Sequence, residues 1–317
     1  MLPQNPSYRN AKTAMKYKAF PFTDHYKNFS LIEGGHVPAF ICKNDPPIIF
    51  DPGVSAFGPL YYRTLLPIVR DQQHLLILLT HSHFDHCGAA PYLLKKFPHA
   101  QVGASSRAAE VLRKESAIDL IRRFNAEYEE QMADDIKGED TSFSSINVDM
   151  QLKEGDRVEL ENGHCFQVFE TPGHTRDCLS YFFPDSGVLV AGEAAGVPEG
   201  NFIHSVFLAS YEEYVNSIQK LSTIAAEALC IAHVGILAGR EHIAKYLTAS
   251  LAAAQKYRSK IERYMDKFDG DKQKVVDTIV TEEYDSKQHH LLNRNPFITN
   301  LQAKINAICK LAENKAD

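Results

Sequence analysis

Leu75-Leu76-Ile77-Leu78-Leu79-Thr80-His81-Ser82-His83-Phe84-Asp85-His86-Cys87-Gly88 is the stretch on which the reading of this chain turns. A strand-like apolar run leads straight into four side chains able to bind metal: His81, His83, Asp85 and His86. Imidazole and carboxylate groups suit divalent first-row metals. Three further candidates end other apolar runs: His174 in Thr171-Pro172-Gly173-His174, Glu193 in Ala191-Gly192-Glu193, and His233 in Ala232-His233-Val234-Gly235. Seven such groups are enough for two adjacent ions.

Short apolar runs surround these positions. Phe29 to Ile32 and Ala39 to Cys42 read as a hairpin about Gly34-Gly35. Ile48-Ile49-Phe50 runs into the turn Asp51-Pro52-Gly53. Gly88 to Phe97 has helical spacing and stops at Pro98; Gln101 to Ala104 is a short strand, with Ser105 or Ser106 capping the next helix. Ile118, Ile121, Phe124 and Tyr128 mark an amphipathic helix. Val158 to Leu160 and Cys165 to Phe169 read as strands. Leu179 to Phe183 and Val188 to Ala191 form a hairpin across Pro184-Asp185-Ser186-Gly187, and Leu229 to Ala232 is expected to be the last strand. Alternation of this kind says α/β or α+β and no more.

Composition is that of an ordinary soluble globule, 44% apolar and 23% charged over 317 residues. A net charge of −6 argues against a broad nucleic-acid-binding surface. No apolar run approaches a membrane span, and Met1-Leu2-Pro3-Gln4-Asn5, without an apolar core after a basic start, is not expected to begin a secretory signal. The six cysteines (Cys42, Cys87, Cys165, Cys178, Cys230, Cys309) form no framework. Reduced thiols in a cytoplasmic protein are expected, with Cys87 a small packing residue. Gly-rich phosphate loops, Ser-His-Asp signatures and Cys-x-x-Cys pairs are absent.

The string His-x-His-x-Asp-His, followed in order by His174, a carboxylate and His233, resembles the metallo-β-lactamase superfamily. The resemblance implies an α+β fold, an αββα sandwich with its ligand loops gathered at one edge. With a tight turn after Thr80, His81, His83 and His174 would take one ion. Asp85, His86 and His233 would take the other, with Glu193 between. Two divalent ions (Zn, Fe or Mn) about 3.5–4 Å apart would share a water and supply hydroxide at neutral pH. Asp85 could both ligate and orient the nucleophile. Asp51 is expected to support a ligand from below. The family carries Asp where this chain has Glu193. The longer side chain leaves three arrangements open: bridging in another geometry, binding one ion only, or weakening one site.

From Gly239 onward the pattern changes. Ile243, Leu247, Leu251, Ala254, Tyr257, Ile261, Met265 and Phe268 keep helical spacing; Asp271 opens a second helix, and a third starts near Pro296. Residues 1–238 are therefore expected to form the sandwich and 239–317 a helical cap, which could roof the metal cleft. Within the superfamily, thioesterases of the glyoxalase II kind carry such an addition. Pro91-Tyr92-Leu93 and Lys114-Glu115-Ser116-Ala117 extend the likeness toward PqsE-type thioesterases. No flavodoxin or rubredoxin pattern follows His233, which argues against a flavodiiron oxidoreductase.

The expected function is metal-dependent hydrolysis of a small-molecule thioester, acyl-CoA or another acyl-thiol. A lactone or phosphodiester hydrolase, or a regulator acting through protein contact with a vestigial metal site, are the alternatives. A homodimer or a protein partner is compatible with either. Ser116, His204, Phe207, His289 and His290 are weaker pocket candidates, without a spacing argument.

Overall fold

The computed structural model describes residues 20–32, 38–69, 74–200, 202–286 and 294–313. Gly34, Gly35, His289 and His290 lie outside them, so the hairpin turn and two pocket candidates expected there are not described.

One sheet holds β2 (His25–Tyr26), β3 (Phe29–Ile32), β4 (Ala39–Cys42), β5 (Ile48–Phe50), β6 (Leu76–Leu78), β7 (Gln101–Ser105) and β8 (Met150–Leu152), in that order. The other runs β1 (Phe22–Thr23), β16 (Gly235–Ala238), β15 (Ala228–Ile231), β12 (Val188–Val190), β11 (Leu179–Phe183), β10 (Cys165–Glu170) and β9 (Arg157–Glu159). A two-stranded ribbon, β13 (Val197–Glu199) with β14 (Phe202–His204), stands apart from both.

The central strands are apolar at every position because both of their faces are covered. Ile48, Phe50, Leu76 and Leu78 point between the sheets, where they meet Phe166, Val168, Val188 and Cys230. Ile49, Ile77 and Leu79 point outward, under α1 (Gly58–Leu65), α3 (Ala90–Lys96), α4 (Ser106–Val111) and α5 (Glu115–Gln131). Phe29, Phe50, Tyr181 and Phe183 interlock at ring-centroid distances of 5.1–6.1 Å. Each large side chain buried there contributes roughly 1.5–3 kcal/mol. Leu189, Leu229 and Leu237 face outward from the second sheet. They share one core with α6 (Tyr211–Ser222), α7 (Arg240–Lys267), α8 (Lys272–Val280) and α9 (Arg294–Glu313). Layers in the order helix, sheet, sheet, helix result, which is the αββα architecture expected.

Strand direction brings the loops together. β5 and β6 pair in parallel, as do β12 and β15. β10 and β12 both lie antiparallel to β11, so they run the same way. Asp51, the His81–His86 string, His174, Glu193 and His233 therefore all follow the C-terminal ends of strands at one rim. Tyr181 ties that rim across the sandwich by donating its hydroxyl to the Leu79 carbonyl at 2.6 Å.

The expected last strand is not the last. β15 ends at Ile231, the chain turns through Ala232-His233-Val234, and β16 returns antiparallel with Ile231 opposite Gly235. The alternating pattern of Gly235-Ile236-Leu237-Ala238 is too short to separate from the helix that follows. His233 consequently sits on a hairpin turn with a left-handed backbone, φ 65°. Two short N-terminal strands and β8 were likewise not expected; each has five residues or fewer and needs a neighbour to define it. Ser105 caps α4, its hydroxyl accepting the Ala108 amide at 3.0 Å.

Gly173 has no room for a side chain. Its φ is 128°, and a Cβ there would lie 2.3 Å from the backbone of Tyr214. Gly173→Ala is expected to lower stability by about 3 kcal/mol or more, since the clash is with backbone and the conformation is strained. Urea unfolding of wild type and variant measures this; an unchanged midpoint would show that the loop yields freely.

Candidate metal centre

Asp51 organises the loop after β6. Its own backbone is left-handed, φ 47°. Oδ1 accepts the Thr80 amide and Oδ2 the Thr80 hydroxyl, both at 2.7 Å. Because that hydroxyl donates to Asp51, its oxygen is left to accept Nδ1–H of His81 at 3.1 Å. Nε2 of His81 is then the lone-pair nitrogen, and it faces the centre. Nδ1 of His86 also lies 3.0 Å from Asp51 Oδ2, so the second imidazole is aimed by the same carboxylate. His83 precedes the short helix α2 (Phe84–Cys87), whose first turn carries Asp85 and His86.

The other ligand-type residues arrive on loops held by their neighbours. Nδ1–H of His174 donates to the Val206 carbonyl at 2.6 Å, which again frees Nε2 for the site. Ser217 on α6 holds the same loop by donating to the Pro172 carbonyl at 2.7 Å. The Glu193 turn passes so close to Thr80 that a Cβ on Gly192 would lie 2.6 Å from the threonine hydroxyl. From the far side α7 pins it, Ser250 donating to the Ala195 carbonyl at 2.6 Å and Tyr246 to the Gly196 carbonyl at 2.9 Å.

Two ligand groups result. His81, His83, His174 and Glu193 form one; Asp85, His86 and His233 form the other; within each, one ligand atom per residue lies within 4.8 Å of the rest. Glu193 faces both. Its Oε2 is 2.7 Å from His174 Nε2, 3.3 Å from His81 Nε2 and 3.6 Å from His86 Nε2, and its Oε1 is 3.5 Å from His233 Nε2. Asp85 Oδ2 lies 3.8 Å from His233 Nε2. The extra methylene of Glu193 thus puts its carboxylate between the groups, closest to the first.

Electrostatics separates the roles. Burial, reinforced by the charge of His86, lowers His81 well below the ordinary imidazole range. Burial and the neighbouring His174 lower His83 to about 4. Burial opposes charge on His86 too, but Asp51 and Asp85 outweigh it and raise that imidazole well above its usual range. Burial likewise disfavours an ionised Glu193, yet the imidazoles gathered around it, His174 first, hold its carboxyl well below the carboxylate range. His81 and His83 are neutral donors and Glu193 an anion near neutral pH, the states that metal ligands require.

The donor set fits divalent metal ions. Nε2 of His81 and of His86 are buried and make no hydrogen bond among the described residues. An unmet buried polar atom costs about 1–3 kcal/mol. The ring nitrogens of His81 and His174, held from behind by a hydroxyl and a carbonyl and gathered with His83 beside one carboxylate, fit an ion at their focus.

Several participants carry no sequence signal of their own. Asp177 is buried and its Oδ2 accepts the Ser82 amide at 2.9 Å, joining the His174 loop to the His81–His83 loop. Tyr246 and Ser250 act only through partners distant in sequence, and Thr80 is set in place by Asp51, 29 residues before it. Lys304 of α9 sits half-buried, 4.7 Å from the centroid of Tyr257. Burial lowers its ammonium to about 8, against the opposing charges of Glu283 and Glu193.

Of the weaker candidates, His204 pairs with Glu199 within the ribbon at 2.5 Å, Phe207 is fully buried in the outer core, and Ser116 is exposed. Cys87 is buried in the core beneath the site, as expected of a packing residue. A cavity of about 600 Å³ opens beside His83 and His174. Among the described residues its lining comes from positions 82–124 and 174–209 and not from the helices after Gly239. Of those helices, α7 buttresses the Glu193 turn.

A family model described as the metallo-beta-lactamase superfamily matches residues 32–233. The chain is 28% identical over 194 residues to the uncharacterized protein YobT of Bacillus subtilis (strain 168), covering 57% of this chain and 76% of that one. It is 27% identical over 208 residues to a hydroxyacylglutathione hydrolase of Hamiltonella defensa, covering 64% and 63%. A second such hydrolase, from Nitrobacter winogradskyi, is 26% identical, and the match spans only 49% of its length. Among solved structures, a metallo-beta-lactamase family protein of Thermus thermophilus aligns with a TM-score of 0.62 at 17% identity, over 91% of this chain and 94% of that one. An archaeal superfamily protein from Sulfolobus tokodaii aligns with a TM-score of 0.53 at 15% identity, over 90% and 100%. At these identities the structures speak for the fold.

Purified protein, reconstituted with Zn, Fe or Mn, is expected to hold about one to two ions per chain. His81→Ala lowers that number. Asp51→Asn weakens affinity by about 10- to 100-fold while leaving every ligand in place. Glu193→Ala loosens both ions, the first more than the second, and Glu193→Asp restores part of the loss. Metal analysis with competition against a chelator measures all four; a wild type that binds no metal would overturn this assignment.

Proposed function

The chain belongs to the metallo-β-lactamase superfamily, and from that premise we propose that it is a metal-dependent hydrolase of thioesters. His81, His83 and His174 would hold one divalent ion, Asp85, His86 and His233 a second, with Glu193 shared. The observation that carries the reading is the position of Glu193, facing imidazoles of both groups within 3.6 Å. The named activity of several relatives, hydroxyacylglutathione hydrolysis, supports the choice of a thioester.

Divalent ions at such a site lower the pKa of water toward neutrality and polarise a substrate carbonyl. The chain supplies the rest. Asp85, half-exposed at the start of α2, orients the attacking water and accepts its proton. Asp51 and Asp177 keep the loop from shifting as charge develops, which matters because small displacements of reacting groups cost large factors in rate. The departing thiolate needs little help from a general acid. Low proton affinity at His81 and His83 keeps both imidazoles neutral through the reaction. The cavity beside His83 and His174 gives a substrate its way in.

Metal-loaded protein is expected to hydrolyse acyl thioesters faster than lactones or phosphodiesters carrying comparable acyl or aryl groups. Asp85→Asn lowers kcat by about 100-fold or more, in line with loss of a general base. A colorimetric thiol assay run beside a lactone and a bis(p-nitrophenyl) phosphate assay decides the matter. A clear preference for either alternative ester would replace this reading, and inactivity of metal-replete protein on all three would favour a regulator.

A further inference from the structure

The cavity beside the metal centre is built from two chemically different parts. Its apolar lining includes buried Ile121, partly buried Val111, Phe124 and Leu208, and Leu120. Leu120 is 43% exposed, one of three large apolar side chains left so open among the described residues. Three exposed cations also line it, Arg107 at the start of α4, Lys114 at the N-cap of α5 and Arg176 on the loop after His174.

The charge of this lining differs from that of the chain. Two acids also line the cavity, Glu110 and Asp177. Asp177 is buried and engaged with the Ser82 amide. Glu110 is therefore the one exposed carboxylate among three exposed cations, in a protein whose net charge is −6. Arg107, Lys114 and Arg176 make no ion pair among the described residues. Cations left unpaired beside apolar side chains are what a ligand with an apolar end and a polyanionic end would meet.

We propose that this cavity is the substrate channel, and that the thioester it takes carries its acyl group against the apolar lining and a phosphate-bearing thiol arm, of the coenzyme A kind, along Arg107, Lys114 and Arg176. The proposal rests on the thioester reading above and narrows it. A glutathione arm has two carboxylates and an ammonium, and its single net negative charge leaves most of these cations unmatched. Arginine forks bind phosphate bidentately, and lysine serves as a point charge beside them.

The test compares hexanoyl-coenzyme A, S-hexanoylglutathione and S-hexanoyl-N-acetylcysteamine, which share one acyl group and differ in the arm. Wild-type metal-loaded protein is expected to show the lowest KM for hexanoyl-coenzyme A, rising with salt. Arg107→Glu, Lys114→Glu and Arg176→Glu each raise the ratio of KM for the coenzyme A ester to KM for the uncharged ester by about three- to tenfold, kcat changing less. Glu110→Lys lowers that ratio. Leu120→Asp raises KM for hexanoyl but not for acetyl esters. Charge reversals that leave the ratio unmoved, or a preference for the glutathione ester, would overturn the proposal. If no thioester is hydrolysed, the functional reading fails and the three cations are judged separately, by calorimetry with desulfo-coenzyme A. Binding that Arg176→Glu weakens would keep the phosphate assignment, and absence of binding would end it.

Discussion

The carboxylate of Asp51 receives the Thr80 amide and hydroxyl and faces an imidazole of the ligand string. From that one group an imidazole of each candidate ligand set acquires its aim. Through the Thr80 hydroxyl it sets the tautomer of His81, and by direct contact it orients His86, which belongs to the other set. A left-handed backbone at a non-glycine residue costs about 1–3 kcal/mol and survives where surrounding structure enforces it. Here the enforcement is visible: β5 delivers Asp51 beside β6, its parallel neighbour, and the Asp51 amide bonds to the Leu78 carbonyl at 3.1 Å.

The sandwich makes this arrangement possible because its ligand-bearing strands run the same way within each sheet. Loops after parallel strands cannot avoid sharing a rim, and two sheets packed face to face bring two such rims together. Tyr181 and the Leu179 amide, bonded to the Thr80 carbonyl at 2.8 Å, hold the rims against each other. Sites on loops tied so closely to a rigid scaffold combine a fixed geometry with access to solvent.

The helical extension enters the same network from outside. Tyr246 and Ser250 bind the carbonyls just after Glu193, so the group that faces both ligand sets is positioned by the sandwich on one side and the extension on the other. The cavity beside His83 and His174 is lined by another part of the molecule, the α4–α5 segment and the loops after His174 and Phe207. The candidate metal site and the cavity beside it are therefore framed largely by different elements.

By itself the sequence determined what strong local pattern can carry. The strand before His81, the ligand string, the three later ligand-type residues and the long helix after Gly239 all announce themselves through periodicity or residue type within a few positions. The family model and the observed layers agree with the fold so read. Tertiary structure alone decided matters that depend on distant neighbours. β1, β2, β8 and β16 are too short to be recognised without the strands they pair with. Thr80, Asp177, Tyr246 and Ser250 are ordinary polar residues until folding sets a buried partner before each. The extension's place, behind Glu193 rather than over the cavity, follows from which face of α7 meets the sheet. Helical spacing marks an apolar face but does not say what it will cover, because burial is a property of the pair of surfaces and not of either one.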